Sequence, residues 1–327
     1  MNAFASDPGA RLPRRQFLTR TLLAGGAATL VRNAALLHAD TTRRPLRLGG
    51  PLFNAPEDPD ALARAHRDLG YRAAYCPNLS PGQTDRIRAV REAFARHDVV
   101  LAEVGRWVNL LDADATRRAA NLKAVIEGLA LADEVGARCC VDIAGSFNPT
   151  VWYGPHPDNL SRRFFDAAVE NARKIIDAVK PVRSRFCYEM MGWALPDSPE
   201  SCLRMIKAVD RRAFAVHLDP CNLVNSPDRF YRNTALLNEC FDKLGRWIVS
   251  CHAKDLTWEV EMNVHFREVR PGQGAMDYTT YLRRLAQLPD PPPLMLEHLP
   301  NAGEYDAARQ HVFEVGRRAG LTFAPPV

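Results

Sequence analysis

Short apolar runs rich in branched and aromatic residues recur along this chain, separated by longer stretches in which apolar positions fall three and four apart. Eight runs stand out, at 45–52, 72–76, 99–104, 138–143, 185–190, 213–219, 247–252 and 294–297. Runs of that length between polar turns predict buried strands. The intervening segments, 59–69, 84–97, 116–135, 162–179, 199–209, 229–244, 277–288 and 304–319, carry the helical period, which predicts one amphipathic helix after each strand. Strand then helix, repeated eight times, predicts an α/β chain closed as a (β/α)8 TIM barrel. An open doubly wound sheet alternates in the same way. No GxGxxG follows the first run, however, so the dinucleotide-binding form of that sheet is not expected.

The longest connections follow the fourth to seventh runs, at 144–160, 192–198, 220–228 and 253–276. All lead from strand to helix, and barrels build their active sites from such loops while the opposite face serves stability. Residues 40–327 therefore read as a single catalytic domain, a size that one barrel core accommodates.

Charge changes this picture in one respect. The chain carries a net charge of +5, which taken alone suits an anionic partner. Yet residues 1–39 hold Arg11, Arg14, Arg15, Arg20 and Arg32 against the single acid Asp7, and the remainder is close to neutral. A near-neutral body gives no electrostatic footprint for nucleic acid. The leader pairs Arg14-Arg15 ahead of a small and apolar run at 21–31, the order of a twin-arginine (Tat) export signal. Residues 1–39 are expected to direct the chain to the periplasm or another extracytoplasmic site, either cleaved or kept as an anchor. No membrane span is expected in the mature chain, because no other apolar run reaches about 18 residues. The eight cysteines form no CxxC pair and several lie inside the apolar runs. They are expected to be small buried hydrophobes rather than disulfide partners or thiolate ligands.

What ends the strands carries the chemistry. Glu189, Asp219, His252 and Glu297 close consecutive apolar stretches, from the fifth run to the eighth. Ionisable groups at such ends are costly to bury unless they are paired or hold a cation. They stand 30, 33 and 45 residues apart, each about one strand-and-helix unit, so a barrel would bring all four to one rim. Three carboxylates and one imidazole make a hard, oxygen-rich set. It predicts one divalent cation, Mn²⁺ ahead of Mg²⁺, Co²⁺ or Zn²⁺. The competing reading pairs these acids with arginines such as Arg185 and Arg267.

Candidates for substrate contact surround this set. His217 precedes Asp219 by two and shares its strand face. Lys254 and Asp255 follow His252 directly, Arg267 lies in the next loop, and His156 in the loop after the fourth run is a proton-transfer candidate. Trp107, Trp152 and Trp193 are placed to form an aromatic wall for a sugar ring. Residues 265–268, followed by Pro271-Gly272-Gln273-Gly274 and Asp277, predict a tight turn feeding a capped helix that closes over the site.

These pieces resemble a known family. Tyr188-Glu189-Met190-Met191, His217-Leu218-Asp219-Pro220-Cys221-Asn222, Cys251-His252-Ala253-Lys254-Asp255, Pro271-Gly272-Gln273-Gly274 and Leu296-Glu297-His298 are similar to motifs of the sugar phosphate isomerase/epimerase family of xylose-isomerase-like barrels, over about 46–320. The resemblance implies the same four metal ligands and adds that Glu189 and Glu297 flank the substrate as a catalytic acid/base pair. It implies a metal-dependent sugar isomerase or epimerase, which abstracts a proton next to a carbonyl through a metal-stabilised enediolate. Asn222 stands where ketose 3-epimerases of the family carry a substrate-binding histidine, and it is expected at the substrate. Similar barrels in C-glycoside deglycosidases and 3-keto-glycoside lyases give a second expectation, β-elimination from an oxidised sugar. A non-catalytic, metal-dependent carbohydrate-binding protein is the third. The expected partner is a small-molecule sugar or glycoside, with a homo-oligomer or an accessory subunit left open.

Overall fold

The computed structural model describes residues 44–324. Residues 1–39, expected to be an export leader, lie outside those residues. Eight parallel strands close a barrel: β1 (Leu48–Gly49), β2 (Ala73–Tyr75), β3 (Val100–Gly105), β4 (Cys139–Asp142), β5 (Arg185–Glu189), β6 (Phe214–Leu218), β7 (Ile248–Ala253) and, last in the chain, β10 (Leu294–Leu296). Sequential strands pair, and β10 closes the ring by bonding to both β7 and β1. Each strand lies within a predicted run or passes its end by a single residue. Helices follow them, started by side-chain caps at Asp58, Asp114, Ser161, Ser198, Asp277 and Asn301, which satisfy the first backbone N–H groups. No helix among the described residues is long and apolar enough to cross a membrane.

Two elements depart from expectation. The helix predicted at 229–244 is two helices, Pro227–Tyr231 and Asn233–Leu244, because Arg232 leaves the helical conformation at φ −114° and ψ 31°. Within the loop expected at 253–276, β8 (Asp255–Trp258) and β9 (Phe266–Val269) pair as an antiparallel ribbon. Residues 265–268 thus belong mostly to a strand, and the turn at 271–274 comes after it.

Strand alternation sorts the core. Phe186 and Tyr188 on β5, Phe214, Val216 and Leu218 on β6, and Leu294 and Leu296 on β10 pack outward in the main core against the helices. Cys187, Ala215 and Met295 face the barrel interior, where small side chains such as Cys139 and Val141 fill the space. All eight cysteines are free and seven are buried. Burial pushes the Cys139 and Cys187 thiols up in pKa, so they pack as small uncharged groups.

Two bulges interrupt the alternation. Ala74 pairs with Leu101 but Tyr75 pairs with Glu103, and Val216 pairs with Ile248 but His217 with Ser250. One extra residue on β3 and one on β7 therefore change which face the later side chains take. Strict alternation would send Glu103 outward with Leu101, and Ser250 and His252 outward with Ile248. The bulges turn all three inward.

Candidate metal centre

Alternation on β5, β6 and β10 carries the interior face onward from Cys187 to Glu189, from Ala215 through His217 to Asp219, and from Met295 to Glu297. The bulge on β7 adds His252. The four meet at the carboxyl ends of neighbouring strands, and one ligand atom from each lies within 4.8 Å of all the others. His252 Nδ1 is 3.0 Å from Glu297 Oε2 and 3.6 Å from both Glu189 Oε1 and Asp219 Oδ2. Asp219 and His252 are fully buried.

Asp219 Oδ2, His252 Nδ1 and Glu297 Oε2 are buried without a hydrogen-bond partner. Buried polar atoms are nearly always paired, so three unpartnered donor atoms converging on one place fit a cation. The arginine alternative is not what the structure places here. Arg185 donates to the Ser184 carbonyl, and Arg267 pairs with Glu259.

Lys254 supplies positive charge instead. Its Nζ stands 2.9 Å from Asp219 Oδ2 and from Glu297 Oε2, though outside hydrogen-bonding alignment with either, and 3.9 Å from Glu189 Oε1. Burial works against its charge, but Asp219, Glu189 and Glu297 outweigh that and hold its pKa far above the ordinary value. Burial likewise opposes ionisation of Glu297, yet His252 and Lys254 bring its pKa down to about 2. Asp219 is held lower still by Lys254 and His252 against the same penalty. Both carboxylates are therefore charged at neutral pH.

Glu103 lies beneath this rim and escaped the sequence reading. Its buried carboxylate accepts from Ser250 Oγ at 3.0 Å and faces His217 Nε2 at 2.7 Å and His252 Nε2 at 3.2 Å. Burial raises its pKa, but the two histidines dominate and hold it well below the usual range. An ionised carboxylate only accepts, so the ring nitrogens facing it carry the protons. His252 accordingly shows Nε2–H to Glu103 and turns Nδ1 toward the acids, the arrangement by which a carboxylate orients a metal-binding imidazole. An acid inside the apolar run Val100-Leu101-Ala102-Glu103-Val104 was the available signal. The bulge that aims it inward has no sequence signature.

Above the acids opens a cavity of about 470 Å³. Trp107, Trp152 and Tyr153 form one wall, and Met191, Asn222, Glu268 and His298 complete the mouth. Asn222 Nδ2 donates to Glu189 Oε1 at 2.7 Å. The Trp107 loop is pinned by Asp142 Oδ1, which accepts from the Val108 N–H at 3.0 Å. Burial raises the Asp142 pKa well above normal. His298 holds φ at 58°, unusual for a residue with a side chain. Its Nδ1 lies 3.0 Å from Glu268 Oε2 and its Nε2 3.6 Å from Glu297 Oε1. Glu268 and His298 are thus site residues that the sequence reading did not single out, although His298 lies within a quoted motif.

The other expected contacts are distributed differently. Lys254, Asn222, Trp107 and Trp152 line the cavity, and His217 sits below it. Asp255 does not face substrate, because its carboxylate accepts from the backbone N–H groups of Leu256, Gly272, Gly274 and Met276. His156 caps the turn at Pro157–Leu160 by accepting from the Asp158 N–H, beside a separate hollow. Trp193 and Arg267 line a groove next to the cavity rather than the cavity itself.

Against known proteins, a family model described as a xylose isomerase-like TIM barrel matches residues 63–314. No curated protein sequence matches the chain. Solved structures with the same fold include a xylose isomerase-like TIM barrel protein from Mycobacterium smegmatis in complex with magnesium (19% identity, TM-score 0.58, covering 85% of this chain and 98% of that one). A 3-keto-D-glucoside 4-epimerase from E. coli aligns at 14% identity and TM-score 0.59, over 83% of this chain and 99% of its own. Endonuclease IV from Thermus thermophilus aligns at 17% identity and TM-score 0.61, with the same coverage. At these identities the likeness is one of fold.

Proposed function

This chain belongs to the xylose isomerase-like TIM-barrel family, and from that footing we propose that it is a cation-dependent sugar isomerase or epimerase. The observation that carries the reading is the convergence of Asp219 Oδ2, His252 Nδ1 and Glu297 Oε2, buried and without a hydrogen-bond partner, next to a cavity that Glu189 and Glu297 line together with Trp107 and Trp152. Glu189, Asp219, His252 and Glu297 would hold one divalent cation, Mn²⁺ by the oxygen-rich donor set, which would supply positive charge to sugar oxygens. Glu189 and Glu297 stand at the two ends of the ligand row, since β6 and β7 lie between β5 and β10. A sugar lying over the row meets one carboxylate on each side. Glu297, ionised at neutral pH, is the base that takes the proton, and Glu189, oriented by Asn222, returns one from the other side. Trp107 and Trp152 line the cavity and supply aromatic surface for the sugar ring.

Elimination is the second reading, favoured by Asn222 standing where ketose 3-epimerases carry histidine. If the carbon next to the deprotonated one bears a leaving group, the electron pair released when the same base takes the proton forms a C=C bond there, and the group departs with its bonding electrons. Charge bears against nucleic acid as substrate, because most of the positive excess lies in residues 1–39. We also propose export, supported by Arg14-Arg15 and the apolar run at 21–31.

The test is proton exchange. Incubated with Mn²⁺ in D₂O with free ketoses and with 3-keto-glycosides, the protein is expected to replace a C–H beside the carbonyl by C–D, read by proton NMR. Glu297→Gln should slow the exchange by about 10²-fold or more. Binding of these sugars without exchange, conversion or elimination would leave only a carbohydrate-binding role.

A further inference from the structure

A second hollow, of about 610 Å³, adjoins the acid-floored cavity, and the two share Met191, Asn222 and Glu268 as a common wall. It runs outward between the loop after β5, which carries Trp193, and the ribbon residues Phe266 and Arg267. Gly192 lets that loop lie close to the shared wall: a Cβ there would stand 3.1 Å from the Asn222 carbonyl oxygen.

The far walls are built and not merely folded over. Phe266 stacks flat on Phe230, with centroids 5.1 Å apart and planes 9° off parallel. The Arg267 guanidinium is held by Glu259 at 2.8 Å. Glu268, at the junction, is fixed by His298 at 3.0 Å. Against this framework Trp193 leaves 62% of its surface exposed, a large apolar ring with nothing covering it. Sugar-sized rings bind where an aromatic face lies beside a few polar groups, and here Trp193 lines the same hollow as Asn225 and Arg267.

We propose that this hollow is a second subsite, which holds the ring attached through a glycosidic bond to the sugar bound over the acids. The substrate is then a glycoside, and not a free monosaccharide. The inference rests on the sugar reading of the neighbouring cavity. It places Trp193 as the stacking face and Arg267 as a donor to the outer ring's oxygens.

Calorimetric titration of the Mn²⁺-loaded, full-length protein with three probes tests this: 3-keto-D-glucose, its phenyl β-glycoside, and the disaccharide that carries glucose in place of phenyl. At least one ring-bearing probe is expected to bind about tenfold more tightly than the free keto-sugar. A preference for phenyl identifies an aromatic outer ring, and a preference for the disaccharide a sugar. Trp193→Ala should bring the ratio close to one, while Trp193→Phe keeps most of it, with folding checked by circular dichroism. Equal affinity for all three probes, or an advantage that survives both Trp193→Ala and Arg267→Ala, overturns the subsite alone. Binding of none overturns the sugar reading, and the subsite with it.

Discussion

Residue by residue, the site depends on groups that decide the state of other groups. Glu103 touches none of the acids above it, yet it determines which nitrogen of His252 is left to face them. Glu103→Gln keeps the shape but replaces an acceptor-only carboxylate with an amide that also donates. It is expected to weaken Mn²⁺ binding by about 10–100-fold, the usual effect of losing such an orienting carboxylate, measured by titrating a folded variant. Unchanged affinity would mean that His252 is oriented without it. His66 shows the same physics far from the site. It is buried against Phe94 and Tyr71 with Nδ1 unpartnered, and burial lowers its pKa from 6.5 to about 4. A depressed histidine pKa means that the unfolded chain takes up a proton first as the pH falls. Stability should therefore drop between pH 6.5 and 4, by up to about 3 kcal/mol from this group. Urea unfolding at several pH values should show His66→Phe losing less stability than the parent across that window. Parallel curves would exclude the effect.

At the scale of elements, most of the barrel was readable from the sequence, because buried strands and amphipathic helices announce themselves by period. Glu189, Asp219 and Glu297 were legible for the same reason, as acids that end apolar runs on the interior face. His252 was picked out by its position at a strand end, but what turns it inward is the bulge on β7, and the bulge on β3 does the same for Glu103. A bulge inserts one residue without a distinctive composition, so strict alternation misplaces every side chain beyond it. The ribbon of β8 and β9 escaped notice for another reason. Its strands are four residues each, and β9 carries the exposed charges Arg267 and Glu268, so the pair gives little hydrophobic signal. What anchors it is Asp255, whose carboxylate gathers four backbone N–H groups from the ribbon and the turn after it. Gly274 packs so tightly against that carboxylate that a Cβ would lie 2.2 Å from Asp255 Oδ1. An acid near His252 thus looked like a substrate contact in sequence, and its carboxylate instead clasps the loop. The helix predicted at 229–244 divides at Arg232, where the backbone leaves the helical conformation, and a separate short helix capped by Ser226 starts ahead of it at Pro227.

For the whole molecule, the barrel gathers at one rim four ionisable groups that the chain spreads over more than a hundred residues. Its interior is filled with small side chains lower down, which leaves room for Glu103, His217 and Ser250 to form a polar layer under the rim. Three carboxylates in that setting require compensating positive charge, and the Lys254 Nζ stands within 3.9 Å of all three. The central claim is that the four rim residues form a site for one divalent cation. Elemental analysis of the protein purified with Mn²⁺ and then dialysed, beside Asp219→Asn shown to be folded by circular dichroism, tests it most directly. About one ion per chain is expected in the parent and a small fraction of that in the variant. No retained ion and no measurable Mn²⁺ affinity in the parent, or a stoichiometric ion held equally by both, would contradict it.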